Sequence, residues 1–535
     1  MKHKISIHAL IFCCIFLINC SGALAAVKLP AIFGDNMILQ RDINVPIWGW
    51  ASPNGKVSIK FQGKTFNGIA GTDGKWQIKL DSYKAGGPYQ MAIIGDGGQI
   101  NLKNILIGEV WVNAGQSNME FGIITEAHFK DAIGQANDKQ IHLFVVPVTT
   151  ALEPQDDIAP VPVDTPNGKW IVLSPDVLKD RKLAHNGFSA VGFYFALQIR
   201  KATGAPVGMI GAYLGGTPAQ SWTSIDALQQ HPDFSKYITA HQQFAAQYQQ
   251  NKSAYIQQMS QYKAVMNQPV ASGAKPKKPL PPDGGNSAPG NLYNGMISPI
   301  AGYGIKGVAF YQGEANGNKL ADAVEYKELF PTLIQDWRNK WGQGDFPFVF
   351  VQIANYHAEA TTPSAGAWPW VREAQYLALS LPATAMAVTT DLGEANNLHY
   401  KNKLDAGVRL ALAARHAAYG ENIVFSGPVY KSMRVDGNKI ILTMDGYALF
   451  NNRTGQSGND LKGFGIAGAD QKFVWAKAVI TGDTIEISAD GVTQPVAVRY
   501  NWDDNPPGNL YNKEGLPASS FRTDNWPPPL RTQDK

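Results

Sequence analysis

The sequence predicts an α/β fold flanked by two β-rich regions, and three observations predict it. Residues from about 27 to 107 form short runs that alternate polar and apolar and are separated by turns. From about 108 to 420, apolar runs of strand length alternate with helical stretches. Beyond about 421 the short alternating runs return. Period-two runs bounded by Gly, Asn and Asp are the mark of half-buried strands, whereas strand–helix alternation argues for a parallel sheet with helices on both faces.

Taken in order, the first 25 residues read as a secretory signal. Lys2, His3 and Lys4 form a basic start, residues 5–18 an apolar run too short to span a bilayer, and Ala23-Leu24-Ala25 a small-residue cleavage site. All three cysteines, Cys13, Cys14 and Cys20, fall in this leader. The mature chain is therefore expected to be secreted or periplasmic, with no disulfide, thiolate metal site or cysteine nucleophile, and with no membrane insertion after cleavage. A lipid anchor at Cys20 is the less favoured reading, because Asn19 precedes it.

Residues 26–107 are expected to form a β-sandwich, from the alternating runs 45–50, 57–61 and 75–80 with turns at Pro53-Asn54-Gly55 and Asp73-Gly74. The α/β region, 108–420, carries apolar strands at 206–211, 308–311, 348–353 and 385–388 and helical stretches at 188–203, 326–340 and 404–419. A Gln-, Ala- and Tyr-rich stretch at 229–268, leading into a Pro/Lys-rich linker at 274–285, reads as a helical insertion covering about 225–290. It is either a lid or a surface decoration. Residues 421–535 return to β texture and end in a Pro-rich segment.

Composition excludes some functions. Only 17% of the 535 residues are charged and the formal net charge is +4, so no nucleic-acid footprint is present. The one basic run, Lys275-Pro276-Lys277-Lys278, reads as a solvated linker.

Chemistry is expected at four strand ends of the α/β region, where open sheets place their sites. Gly115-Gln116-Ser117-Asn118-Met119 follows the apolar runs at 105–107 and 110–112. A serine there is either an exposed nucleophile or the cap of the next helix. Leu214-Gly215-Gly216-Thr217 either presents backbone N–H groups to a site or makes a plain turn. In Tyr311-Gln312-Gly313-Glu314-Ala315-Asn316, Asn316 suits an oxyanion donor and Glu314 either orients a histidine or sits at a helix start. His399 lies at a strand–helix junction, as a general base or a solvated loop residue.

The four segments together resemble the SGNH hydrolases, in the branch of sialate O-acetylesterases and related carbohydrate acetylesterases. Supporting stretches are Leu292-Tyr293-Asn294-Gly295-Met296, Arg372-Glu373-Ala374-Gln375 and Gly508-Asn509-Leu510-Tyr511-Asn512. The resemblance implies a three-layer α/β/α flavodoxin-like hydrolase domain that removes O-acetyl groups from sugars, with no cofactor or metal. It implies Ser117 as nucleophile and His399 as base, with Gly215 or Gly216, Asn316 and the Ser117 N–H as oxyanion donors. Gln116, Gln312 and Trp222 are expected to contact an acetylated sugar or glycan; Trp222 and Trp368 or Trp370 either stack on a sugar face or pack in the core or between domains.

Many SGNH enzymes have an aspartate three residues before the histidine, where this chain has Asn396. Glu314 is the preferred substitute, Asp391 the second, with Glu394 or a Ser–His dyad as further alternatives. Two rival readings are an acetylxylan or other plant-glycan esterase and a catalytically inactive glycan-binding protein.

Overall fold

The computed structural model describes residues 26–184, 187–266, 276–363, 366–445, 449–454 and 460–530. The leader and its cysteines lie outside the described residues, as does the start of the Pro/Lys-rich linker. The architecture is mixed α/β, with a central parallel sheet and β-rich regions on either side in sequence.

Strands β1 (Asn44–Trp50) and β2 (Lys75–Ser82) form an antiparallel pair. In a neighbouring sheet β3 (Gly86–Gly95) pairs antiparallel with β4 (Gly98–Gly115). β4 joins the first β region to the α/β region. Its opening residues are largely exposed, but from Ile105 onward every residue is buried. The sequence carries the same change, since Gln99, Asn101, Lys103 and Asn104 give way to an almost unbroken apolar run. A strand covered on one face alternates, and a strand covered on both does not. The two apolar runs read at 105–107 and 110–112 are thus one strand, and the change of texture at 107/108 falls inside it.

β4 then pairs on one side with β6 (Val207–Tyr213), which pairs with β5 (Ile141–Val145). On its other side it pairs with β7 (Gly307–Tyr311), followed by β8 (Phe348–Gln352) and β9 (Thr384–Val388). The order is β9-β8-β7-β4-β6-β5, all parallel, with a short antiparallel strand, Ile171–Val172, beyond β5. β4 is therefore central, and the chain crosses from one side of it to the other between β6 and β7. That reversal opens a crevice at the carboxyl ends of the strands.

The helices are α1 (Ser117–Glu120), α2 (Ala190–Thr203), α3 (Ser235–Met266), α4 (Leu320–Trp341), α5 (Trp368–Leu377) and α6 (Lys403–Tyr419). α2 packs on α6 and α4 on α5. Gly407 permits the α2–α6 approach, since a Cβ there would lie 2.7 Å from Cβ of Tyr194. α3 is the insertion read from the Gln-rich stretch. Its foot is tied to α4 by the Tyr237 hydroxyl on Glu325 and by Lys236 Nζ, 2.7 Å from the same carboxylate. Tyr237 is the buried residue of this helix, and the other side chains are half-buried or exposed. No helix among the described residues is long and apolar enough to cross a membrane.

One hydrophobic core takes in residues from Val27 to Ala414 and Trp502, so the first β region and the parallel sheet share it. A second core lies between the sheets after residue 429, from Ile440 to Ala518. The stretch after Tyr500 returns to the α/β region. Arg372 Nη1 donates to the Asp503 carbonyl at 2.6 Å and Nη2 to the Asp504 carbonyl at 2.8 Å.

Candidate active site

The site is built on the end of β4. Gly115 has φ +137°, and a Cβ there would lie 2.0 Å from the Tyr311 carbonyl oxygen. Only glycine lets β4 and β7 approach this closely as the chain turns. The Gln116 N–H then donates to Tyr311 O at 2.9 Å, and α1 begins at Ser117. Gln116, not Ser117, holds the cap position of this helix. Ser117 is partly exposed between buried Gln116 and Asn118, which is the setting of a presented hydroxyl rather than a capping one.

Gln116 and Gln312 form the floor. Gln116 Oε1 accepts from the N–H groups of Gly313 and Ala315 at 3.3 and 3.1 Å. Gln312 Nε2 donates to Gln116 Oε1 at 3.2 Å, to the Thr217 carbonyl at 3.2 Å and to Asn316 Oδ1 at 2.8 Å. These buried amides join three strand-end loops. Gln312, whose Oε1 accepts from the Tyr326 hydroxyl at 2.9 Å, has no polar atom left over for the substrate contact expected of it, whereas Gln116 commits only its Oε1 and its Nε2 makes no hydrogen bond among the described residues. Trp222 is also corrected by its surroundings. It is wholly buried, with its indole N–H on Thr217 Oγ1 at 2.9 Å, and offers no ring face to a sugar. Trp368 and Trp370 are buried as well.

Asn316 has its orientation determined by two donors. Its Oδ1 accepts from the Ala219 N–H at 2.9 Å as well as from Gln312, so Nδ2 faces the other way and donates to Gln220 Oε1 at 3.2 Å. Gly215 packs directly on the nucleophile candidate, because a Cβ on it would lie 3.1 Å from the Ser117 Cβ. Its N–H donates to Glu120 Oε2 at 2.6 Å. Gly216, with φ +72°, completes the turn and is exposed.

A buried polar chain runs behind Ser117. Asn118 Nδ2 donates to Glu314 Oε1 at 2.6 Å and to the Leu398 carbonyl at 3.3 Å, and Asn118 Oδ1 accepts from Lys403 Nζ at 2.6 Å. Asn118 thus ties the serine turn to the Glu314 loop and to the residue preceding His399. Burial pushes the Glu314 carboxyl above its ordinary range, against the Asn118 bond and the Lys403 charge. Burial pulls Lys403 well below its ordinary value, against the charges of Glu314, Glu394 and Glu126. The Lys403 ammonium also sits 3.2 Å from the Tyr400 ring centroid.

His399 is exposed at the rim, with its backbone N–H on Asn397 Oδ1 at 3.1 Å. Partial burial and the Lys403 charge lower its pKa below the usual imidazole value, while Glu120 acts in the opposite direction. Among the described residues no hydrogen bond joins its ring to Ser117 or to a carboxylate. Asp391 is held by Arg409 at 2.6 and 2.8 Å, and Glu394 accepts from Asn397 Nδ2 and the Lys401 N–H. Among the described residues, the hydrogen bonds from Glu314 toward the histidine loop run through Asn118.

Three contributors escape sequence reasoning: Asn118, Glu120 and Lys403. Lys403 carries a legible signal, since a lysine at the first position of α6 opposes the helix dipole and has to be held by something else.

A family model described as carbohydrate esterase, sialic acid-specific acetylesterase, matches residues 283–416. A crystal structure of a carbohydrate acetylesterase from Xanthomonas citri superposes with TM-score 0.77 at 36% identity, covering 94% of this chain and 100% of that one. Sialate O-acetylesterase from Rattus norvegicus is 26% identical over 467 residues, 79% of either chain. The Homo sapiens protein of that name is 25% identical over 515 residues, 89% of this chain and 87% of its own.

Proposed function

The chain belongs to the sialate O-acetylesterase-like carbohydrate acetylesterases of the SGNH hydrolases, and from that premise we propose that Ser117 and His399 carry out its ester hydrolysis. It is a carboxylic ester hydrolase. In the proposed reaction His399 accepts the Ser117 proton as Oγ attacks the acetyl carbonyl, then returns a proton to the departing sugar hydroxyl. Water attacks the acetyl-enzyme with the same base, releasing acetate. Ser117 N–H, Gly215 N–H and Asn316 Nδ2 are proposed as the donors for the tetrahedral oxyanion. The Gly215 N–H already points at an anionic oxygen, that of Glu120, which has to yield when the ester arrives. Removing one such donor costs about 10²–10³ in rate.

One observation carries this reading: Ser117 stands partly exposed at the carboxyl end of the central strand, with Gly215 packed against it and the His399 loop tied to it through Asn118. We place Glu314 behind the base as a positioning residue acting through Asn118, so that Ser117 and His399 work as a pair. Helices packed against a parallel sheet support a three-layer domain, although β6 lies between β4 and β5 where the flavodoxin-like order has the first strand between the second and third, and the leader read at 1–25 supports action in the periplasm or outside the cell. The substrate proposed first is an O-acetylated sialic acid, after the family model and the curated relatives.

Ser117→Ala and His399→Ala are each expected to abolish hydrolysis of p-nitrophenyl acetate. Activity surviving either substitution in a folded enzyme refutes the assignment. Acetate release from acetylated sialosides, compared with acetylated xylo-oligosaccharides, tests the sugar. Faster turnover of the latter would replace the sialate reading with the plant-glycan one.

A further inference from the structure

The amino end of the parallel sheet carries a second cluster of aromatic and polar side chains. In the β1–β2 pair Trp48 lies opposite Gln77, and Trp50 opposite Lys75. Directly opposed residues of an antiparallel pair share a face. The inward residues Val45 and Ile47 are buried, while Trp48 and Trp50 on the other face are half-exposed. These four side chains, with Trp76 and Asp156, line an open cavity of about 370 Å³. Lys75 Nζ lies 2.7 Å from an Asp156 carboxylate oxygen. Trp76 is 3% exposed, and its buried indole N–H has no partner among the described residues.

Half-exposed indoles offer flat apolar faces with a polar edge. The Lys75–Asp156 pair and the Gln77 amide supply donors and acceptors around them without net charge. A pyranose ring matches that combination, because its C–H face is apolar and its rim is all hydroxyl. A carboxylate or phosphate ligand would meet no net positive charge here. Pockets with aromatic walls and a few convergent polar groups are the ordinary form of a small-molecule site.

We infer that this cavity is a second glycan-binding site, for neutral pyranose units, at the end of the molecule opposite Ser117. Ala301 of the cavity wall precedes the amino end of β7, whereas Ser117 follows the carboxyl end of β4, which runs parallel to β7. The steps of β4 from residue 108 to 115 span roughly 23 Å. A glycan held here raises the local concentration of acetylated units at the reacting end without touching them. The inference concerns binding, so it stands apart from the roles given to Ser117 and His399.

Affinity electrophoresis of the Ser117→Ala chain through gels containing deacetylated xylan, xyloglucan or galactomannan tests it. Retardation is expected in at least one gel. Trp50→Ala, and separately Gln77→Ala at an exposed position, are expected to weaken that binding roughly tenfold or more. In the Ser117 background both variants are expected to hydrolyse p-nitrophenyl acetate at the unaltered rate, which also reports on their folding. No retardation in any of the three gels, or equal retardation of the variants, overturns the proposal. Loss of the Ser117 assignment alone would leave these outcomes untouched.

Discussion

At the scale of single residues, the question is which charges act on the histidine. As the proposed base, His399 accepts a proton only when neutral, so kcat/KM is expected to rise with pH through its pKa and level above it. Partial burial and Lys403 hold that pKa below the usual imidazole value, and Glu120 opposes them. Replacing Glu120 with Gln removes the opposing charge while leaving an oxygen for the Gly215 N–H. The rising limb of the pH–rate profile is therefore expected to move to lower pH, and a limb that stays or moves up refutes the coupling. Asp391 belongs to a different kind of energetics. Its buried pair with Arg409 leaves both side chains under 10% exposed, at 7% and 4%. Asp391→Asn strips one charge from that pair, which costs about 3 kcal/mol of stability. Denaturant unfolding is expected to show this loss, with kcat retained in the folded fraction. Glu314→Gln is expected to do the reverse, lowering kcat more than it lowers stability. A fall of about 10⁴ in kcat for Asp391→Asn at unchanged stability would instead make Asp391 the carboxylate of a triad.

At the scale of elements, β4 and the turn after it decide the site. The strand is legible because its composition reports how many faces are covered. Its continuity through residue 107 is not, since a change of texture looks the same whether a chain crosses between domains or one strand enters a second sheet. Gly115 shows the limit more sharply. A glycine before a serine suggests a turn, but its necessity comes from the Tyr311 carbonyl 2.0 Å from where a Cβ would stand. Gly115→Ala is therefore expected to lose both activity and stability, since a positive φ and a backbone clash each cost about 1–3 kcal/mol. Thermal unfolding alongside the acetate assay checks it, and a variant with wild-type melting would refute the clash. The start of α6 is the other informative place. Asn402 caps it by accepting from the Asp405 N–H at 3.2 Å, yet the next residue is a buried lysine. Local helix preference does not account for that lysine, and the network through Asn118 does.

At the scale of the whole molecule, the C-terminal β region is fastened to the parallel sheet by a buried guanidinium. Arg372 donates to the carbonyls of Ile353 and Ala354 on one side and of Asp503 and Asp504 on the other. Burial pulls its pKa down to about 10, against the charges of Asp504 and Asp503, and it remains cationic near neutral pH. Arg372→Met leaves the carbonyls of Ile353, Ala354 and Asp503 without this donor, while that of Asp504 keeps the Tyr356 N–H at 3.1 Å, and each buried acceptor so abandoned costs about 1–3 kcal/mol. A drop of several degrees in Tm is expected, together with separation of one melting transition into two as the C-terminal core loosens from the rest. A single transition at the original temperature would show that the clamp does not couple the regions.

What the sequence determined by itself is what local chemistry dictates. Alternation and continuous apolar runs marked the strands, and the strand–helix succession marked a parallel sheet. A serine turn, a Gly-Gly turn, a Gln-Gly-Glu-Ala-Asn stretch and a histidine loop at successive strand ends marked a hydrolase of this family. The tertiary structure decided which of those groups have their polar atoms consumed inside the protein. Gln312 and Trp222 read as substrate contacts, and packing turned them into scaffold. Asn118 and Lys403 carried no assigned role, and the same packing placed them behind Ser117. The reason is physical: a hydrogen bond or an ion pair between residues nearly 200 or 300 positions apart depends on where the sheet brings the chain back, and no local pattern encodes that return.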